Sequence, residues 1–182
     1  MKKIFATILI SAATMGFASV SSAASSEAKA SYKMAKENAA DDYKVAREKC
    51  NSLTGNPKDV CVEEAVAART RTKAEAEALY KNTPRARASA RTAIADAEYD
   101  VAKAKCGSQT GNAKDVCIKE AKVANVAAKA DAKADKEVVK ARTEARDDKS
   151  DANYKVAIEK CDALAGPSKD ACVASAKAQY GK

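Results

Sequence analysis

One unit written three times constrains this chain more than any other feature. The copies read YKVAREKCNSLTGNPKDVCVEEA from Tyr43, YDVAKAKCGSQTGNAKDVCIKEA from Tyr99 and YKVAIEKCDALAGPSKDACVASA from Tyr154, starting 56 and then 55 residues apart. Tyrosine, first cysteine, glycine, Lys-Asp, second cysteine and closing alanine keep their offsets in every copy. All six cysteines belong to the unit, two per copy with ten residues between them.

The middle of the unit reads as a helix end, a tight turn and a helix start. Gly55, Gly111 and Gly166 stand where a helix C-terminus needs positive φ, which glycine adopts without steric cost. In the first copy Asn56 is the expected N-cap, with Pro57 at the first helical position and Asp59 near the positive end of the dipole. Asn112 and Asp115 repeat the pattern, and in the third copy Ser168 or Gly166 takes the cap. Each unit is therefore a helical hairpin with a very short loop.

Cys50 lies five residues before its glycine, and Cys61 is the fifth residue of the following helix. Both sit roughly 7 Å from the hairpin tip on antiparallel helices. A disulfide needs Cα atoms closer than ordinary helix packing gives. The alanine pairs one turn further out (Ala46 with Ala65, Ala102 with Ala121, Ala157 with Ala176) allow that approach. The expected bridges are Cys50–Cys61, Cys106–Cys117 and Cys161–Cys172, one set among fifteen possible pairings. Zinc-binding cysteines usually lie two to four residues apart, and the chain has no histidine. A redox pair more often reads Cys-x-x-Cys. Each tyrosine, seven residues before its first cysteine, is expected to pack over the bridge. Of the three bridges, loss of Cys106–Cys117 is expected to cost most, because its turn joins the two longest helices.

Residues 1–23 have the character of a secretory signal: Lys2 and Lys3, an apolar run from Ile4 to Phe17, then Ser21-Ser22-Ala23. Cleavage is expected after Ala23 or Ala24. The apolar run is short for a membrane span, and no cysteine near the cleavage point offers a lipid anchor, so no stable membrane anchor is expected. Export agrees with paired cysteines, which persist as disulfides in oxidising compartments. The short MKK start is bacterial in style, and the expected location is the periplasm.

Residues 24–182 read as a single alanine-rich helical region carrying the repeats at 43–65, 99–121 and 154–176. Alanine supplies about a quarter of it, whereas Leu, Ile, Val and Met number nineteen and Phe is absent. So little large apolar material makes for a thin core, while Ala, Lys, Glu and Arg favour helix. Tyr32, Ala35, Ala39, Tyr43, Ala46, Cys50 and Leu53 step by three and four along one helix face, as do Cys61, Ala65, Ala68, Thr72, Ala76 and Leu79. The expected fold is all-α: an elongated antiparallel bundle or rod, coiled-coil in character, with three stapled turns. Its helices are 26–53, a long kinked 57–106, a long 113–162 and 168–180, placing turns one and three at one end. Thr83 as N-cap with Pro84 behind it fits a new helix or a kink, and Ser150 offers a second break.

Without Lys2 and Lys3, 31 of the 33 basic residues remain against 25 acidic ones. Arg69, Arg71, Lys73, Lys81, Arg85, Arg87 and Arg91 are the densest basic stretch and the candidate surface for anionic envelope components or acidic client proteins. Nucleic acid is not an expected partner, because no aromatics are interleaved with these cations. With no histidine, no glycine-rich phosphate loop and no nucleophile beside a base, neither an enzyme nor a cofactor is expected.

The signal, the repeated YxxAxxxC…GxxKDxC units and the Ala/Lys/Asp-rich helices together resemble small exported proteobacterial proteins described as TolA-like cell-envelope proteins. That resemblance implies a structural or interaction role in the envelope and carries over no functional residue. Two other roles are carried alongside: an ATP-independent periplasmic chaperone, by analogy with small basic all-helical holdases, and a stress-protective hydrophilic helical protein, suggested by composition.

Overall fold

The computed structural model describes residues 20–182, with side chains from Ser26 onward. The expected signal segment and its cleavage point lie outside the described side chains. Five α-helices occur among the described residues: α1 (Val20–Lys49), α2 (Gly55–Lys81), α3 (Pro84–Lys105), α4 (Gly111–Asp162) and α5 (Gly166–Tyr180). Short 3₁₀ turns, Cys50–Ser52 and Cys106–Ser108, follow α1 and α3. The architecture is all-α with three disulfides, as the sequence implies.

The single kinked helix expected over 57–106 is two helices. Asn82 closes α2 in the left-handed region (φ 46°), its N–H donating to the Ala78 carbonyl at 3.0 Å. Extended Thr83 then caps α3, its Oγ1 accepting from the Ala86 N–H at 3.1 Å, with Pro84 at the first helical position. A left-handed residue followed by an extended one reverses the chain where a kink would only bend it. Consequently α3 returns antiparallel along α2, tied by Lys105 to Glu64 at 2.9 Å and by Arg71 to Glu98.

The other pairings follow the same antiparallel rule. Tyr32 stacks on Tyr80, with ring centroids 4.9 Å apart, between α1 and α2. Lys129 grips Asp96 at 2.9 Å between α4 and α3. Lys182, just past α5, reaches Asp151 of α4. Each helix packs on its neighbours in sequence, and no extended contact joins non-consecutive helices among the described residues. The result is an open, serpentine arrangement.

Because the chain reverses at Asn82, turns one and two share an end, and the expected placement of turns one and three together is corrected. Their proximity is direct: the Asn56 amide donates to the Ala104 carbonyl at 2.6 Å. Gly107 makes room for it, since a Cβ there would lie 2.4 Å from Asn56 Nδ2. Asn56 therefore joins two repeats, whereas the sequence casts it as a cap.

The three stapled turns share one construction. The bridges Cys50–Cys61, Cys106–Cys117 and Cys161–Cys172 span Cα distances of 5.6, 5.8 and 5.6 Å. Leu53, Gln109 and Leu164 donate their N–H groups to the carbonyls of the preceding Cys50, Cys106 and Cys161 at 3.0–3.1 Å. Gly55, Gly111 and Gly166 take φ of 61°, 57° and 57°, but they open the second helix of each hairpin rather than closing the first. Extended Thr54, Thr110 and Ala165 occupy the N-cap positions without a side-chain cap bond, replacing Asn56, Asn112 and Ser168 in that role.

Cystine and alanine make the core. Cys50, Cys106 and Cys161 are the largest fully buried side chains, accompanied by Ala39, Ala65, Ala90, Ala95, Ala132 and Ala176. The expected α1 face is buried or half-buried from Tyr32 to Cys50, while Leu53 is exposed. On α2 the expected stripe fails in part: Ala68, Thr72 and Leu79 are exposed. Lying between α1 and α3, α2 half-buries Val62, Val66, Thr70 and Ala74 as well. The tyrosines meet the opposite helix: Arg69 lies 4.0 Å over the Tyr43 ring, Lys122 stands 5.2 Å from Tyr99, and Tyr180 meets Tyr154 edge-on.

Helix α4 runs without interruption through 147–153, so the expected fresh start at Ser150 does not occur. Docked α5 reaches only the far edge of that stretch, with Tyr180 at Tyr154 and Lys182 at Asp151. At 1.5 Å per residue α4 is about 78 Å long, far longer than either of the helices that pack on it, α3 and α5.

Candidate anion-binding surface

The basic stretch predicted from the sequence does not survive folding as one patch. Arg69 is spent on the Tyr43 ring, a cation–π contact. Arg71 pairs with Glu98 and Glu75, Lys81 with Glu77 and Arg91 with Asp135, while the Arg87 guanidinium donates to the Asn82 side-chain oxygen. The Lys81 amine beside Glu77 holds that carboxyl below the usual range. Lys73 and Arg85 have no acidic partner at ion-pair distance among the described residues.

The C-terminal members of the basic stretch, Arg85, Arg87 and Arg91, instead join cations of α4 in a surface assembled by the packing of α4 on the first turns of α3. One groove of about 450 Å³ holds Arg85, Lys133 and Lys136 around Ala88 and Ser89. A second, of about 420 Å³, holds Arg87, Arg91, Lys136 and Arg142 beside Pro84. Ala88 and Lys136 line both, so the two grooves flank one ridge at the start of α3. The carboxylates within them are already engaged: Asp135 by Arg91, Asp96 by Lys129. Cations from two helices thus outnumber free acids beside a helix N-terminus, whose dipole adds to the positive potential.

The register that brings α4 to this place is fixed by one buried polar residue. Asn125, 4% exposed, donates through Nδ2 to the Ala95 carbonyl and to Asp96 Oδ1, each at 2.9 Å. Lys129 adds bonds to both Asp96 oxygens at 2.9 and 3.1 Å. The Lys129 ammonium, with Asn125, holds the Asp96 carboxyl below the ordinary range. Sequence reading missed Lys133, Lys136 and Arg142, which lie more than forty residues beyond Arg85 and Arg87 and belong to no basic run. The nearest signal was Asn125, a lone amide amid alanine and lysine.

A larger cleft of about 690 Å³ separates turns one and two, but its charges are mixed: Arg47, Lys58, Lys103 and Lys114 face Asp59, Glu63 and Asp100. Among the described residues no group of three Cys, Asp or Glu side chains is placed to hold a metal ion. No helix among them is long and apolar enough to cross a membrane. Compared with protein-family models, with curated proteins and with solved structures, the chain finds no match.

Proposed function

We propose that this chain is a non-enzymatic, exported protein of the bacterial cell envelope that binds anionic partners through the α3–α4 grooves. The observation carrying this reading is the convergence of Arg85, Arg87, Lys133, Lys136 and Arg142 around grooves whose carboxylates are already paired. Three disulfides support an oxidising compartment, and the signal-like residues 1–23 support the periplasm. The resemblance to TolA-like envelope proteins agrees with a structural or interaction role. Sedimentation with phosphatidylglycerol and phosphatidylcholine vesicles tests the binding. Wild type is expected to bind the anionic vesicles alone, less strongly as salt rises, and R85A/R87A/K133A/R142A to lose that binding. Equal binding by the quadruple variant would refute the site.

A chaperone role is a second reading, favoured by exposed Leu79 (80%), Val123 (68%) and Met34 (60%). Suppression of aggregation of an unfolding client at low molar ratio would support it. A stress-protective role rests on composition alone.

A further inference from the structure

Between the end of α3's cover and the start of α5's, α4 stands alone. The groove beside Pro84 reaches only as far as Val138, Val139 and Arg142, and α5 ends against Asp151 through Lys182. Every residue from 137 to 149 is exposed. Its ion pairs are local to the helix: Lys136 with Glu137, Lys140 with Glu144 and Arg146 with Asp147. The flanks differ. Upstream, Asn125, Asp96 and Lys129 lock α4 to α3; downstream, Cys161–Cys172 locks it to α5.

A bare helical segment must persist on propensity and side-chain pairs, and here both are unfavourable. Val138, Val139, Thr143, Asp147 and Asp148 are weak helix formers. Thr143 Oγ1 bonds back to the Val139 carbonyl at 3.0 Å, an arrangement that often bends helices. Lys136/Lys140, Arg142/Arg146, Glu144/Asp148 and Asp147/Asp151 are like-charged neighbours at i,i+4, each destabilising. Against these, Lys133/Glu137 and Lys140/Glu144 are the attractive pairs at that spacing, and the atoms of the second stand 3.7 Å apart.

We propose that residues 137–149 are a hinge built into α4. The segment opens as a unit while the helices on either side stay folded, so the stapled α4–α5 hairpin swings relative to the body formed by α1, α2, α3 and the first half of α4. Local openings of this kind come from segments with few buried contacts and exposed backbone. The hinge includes Val138, Val139 and Arg142, which line the groove beside Pro84, so its opening moves the α5 hairpin relative to a partner seated there; the hinge itself does not depend on that partner.

Amide hydrogen exchange on the full-length, oxidised protein tests it. Amides of 141–149 are expected to exchange about tenfold or more faster than those of 121–132 and 154–161, on both sides of the gap. Protection equal to those flanks would overturn the hinge. The charge-neutral variant R146E/D148K turns two repulsive i,i+4 pairs into attractive ones and is expected to slow exchange of 141–149 about fivefold, leaving the flanks unchanged. If that exchange does not slow, the like-charged pairs do not set the opening, and the proposal fails in that form.

Discussion

Removing the third bridge with C161S/C172S should release α5 and leave the other helices folded. Chain entropy assigns each bridge nearly the same constraint, because all three close the same interval; for 11 residues it is about 2.8 kcal/mol. What differs is what remains. At 15 residues α5 is at the margin of lengths that hold helix alone in water. Its buried side chain is Ala176, and its other ties to α4 are the Tyr154–Tyr180 contact and two exposed ion pairs, Lys169–Asp162 and Lys182–Asp151. Such exposed pairs, screened by water, hold little on their own. Losing 2.8 kcal/mol there raises the open population about a hundredfold. The second hairpin keeps Asn125, Asp96 and Lys129 together with buried Ala90, Ala95 and Ala132, so C106S/C117S should lower the main transition without detaching a helix. This redirects the expectation that the second bridge matters most: for local detachment, the third does. Thermal melting followed at a helix wavelength reads the difference. C161S/C172S should show an early, shallow loss matching α5 before the main transition. A single transition at the wild-type temperature would show that the third bridge is not what keeps α5 docked.

Three further outcomes each rest on a single side-chain hydrogen bond. G107A places a methyl against Asn56 Nδ2 and should break its bond to Ala104, costing about 1–3 kcal/mol in denaturant titration; in N56A/G107A the two losses should not add. Asp96 has a folded pKa below its unfolded one, so its contribution is complete above about pH 4 and lost as pH falls through the folded value. N125A, which leaves Asp96 with Lys129 alone, should narrow the acid-stability gap between wild type and D96N. T83A removes the bond to the Ala86 N–H and should cost about 1 kcal/mol, read as a lower melting temperature.

The stapled turns were legible because everything that makes them is local. Cysteine height, alanine clearance and glycine φ are set within one unit of sequence, and the bridges appear at those positions. Helix capping was not so legible. The side chain of Asn56 could bond its own helix or another, and its chosen partner lies 48 residues away. Asn82-Thr83-Pro84 allows a kink or a reversal with the same residues, and the left-handed φ of Asn82 decides between them. That one torsion determines which turns share an end. The basic surface was the least legible feature, since cations count as neighbours only after Asn125 has set the α3–α4 register.

The serpentine order of the helices also governs how the molecule is made. Within each bridge the partner is the next cysteine along the chain, so thiols that appear N-terminus first as the chain is made meet their correct mates in turn. Cys61 emerges while Cys106 is still behind it, which leaves little opportunity for wrong pairings and little need for reshuffling, a process of seconds to hours. Nearest-neighbour packing likewise keeps loop closures short and places the chain among fast-folding topologies. A protein with so thin a core gains from that order: each hairpin is sealed before the following one is exposed.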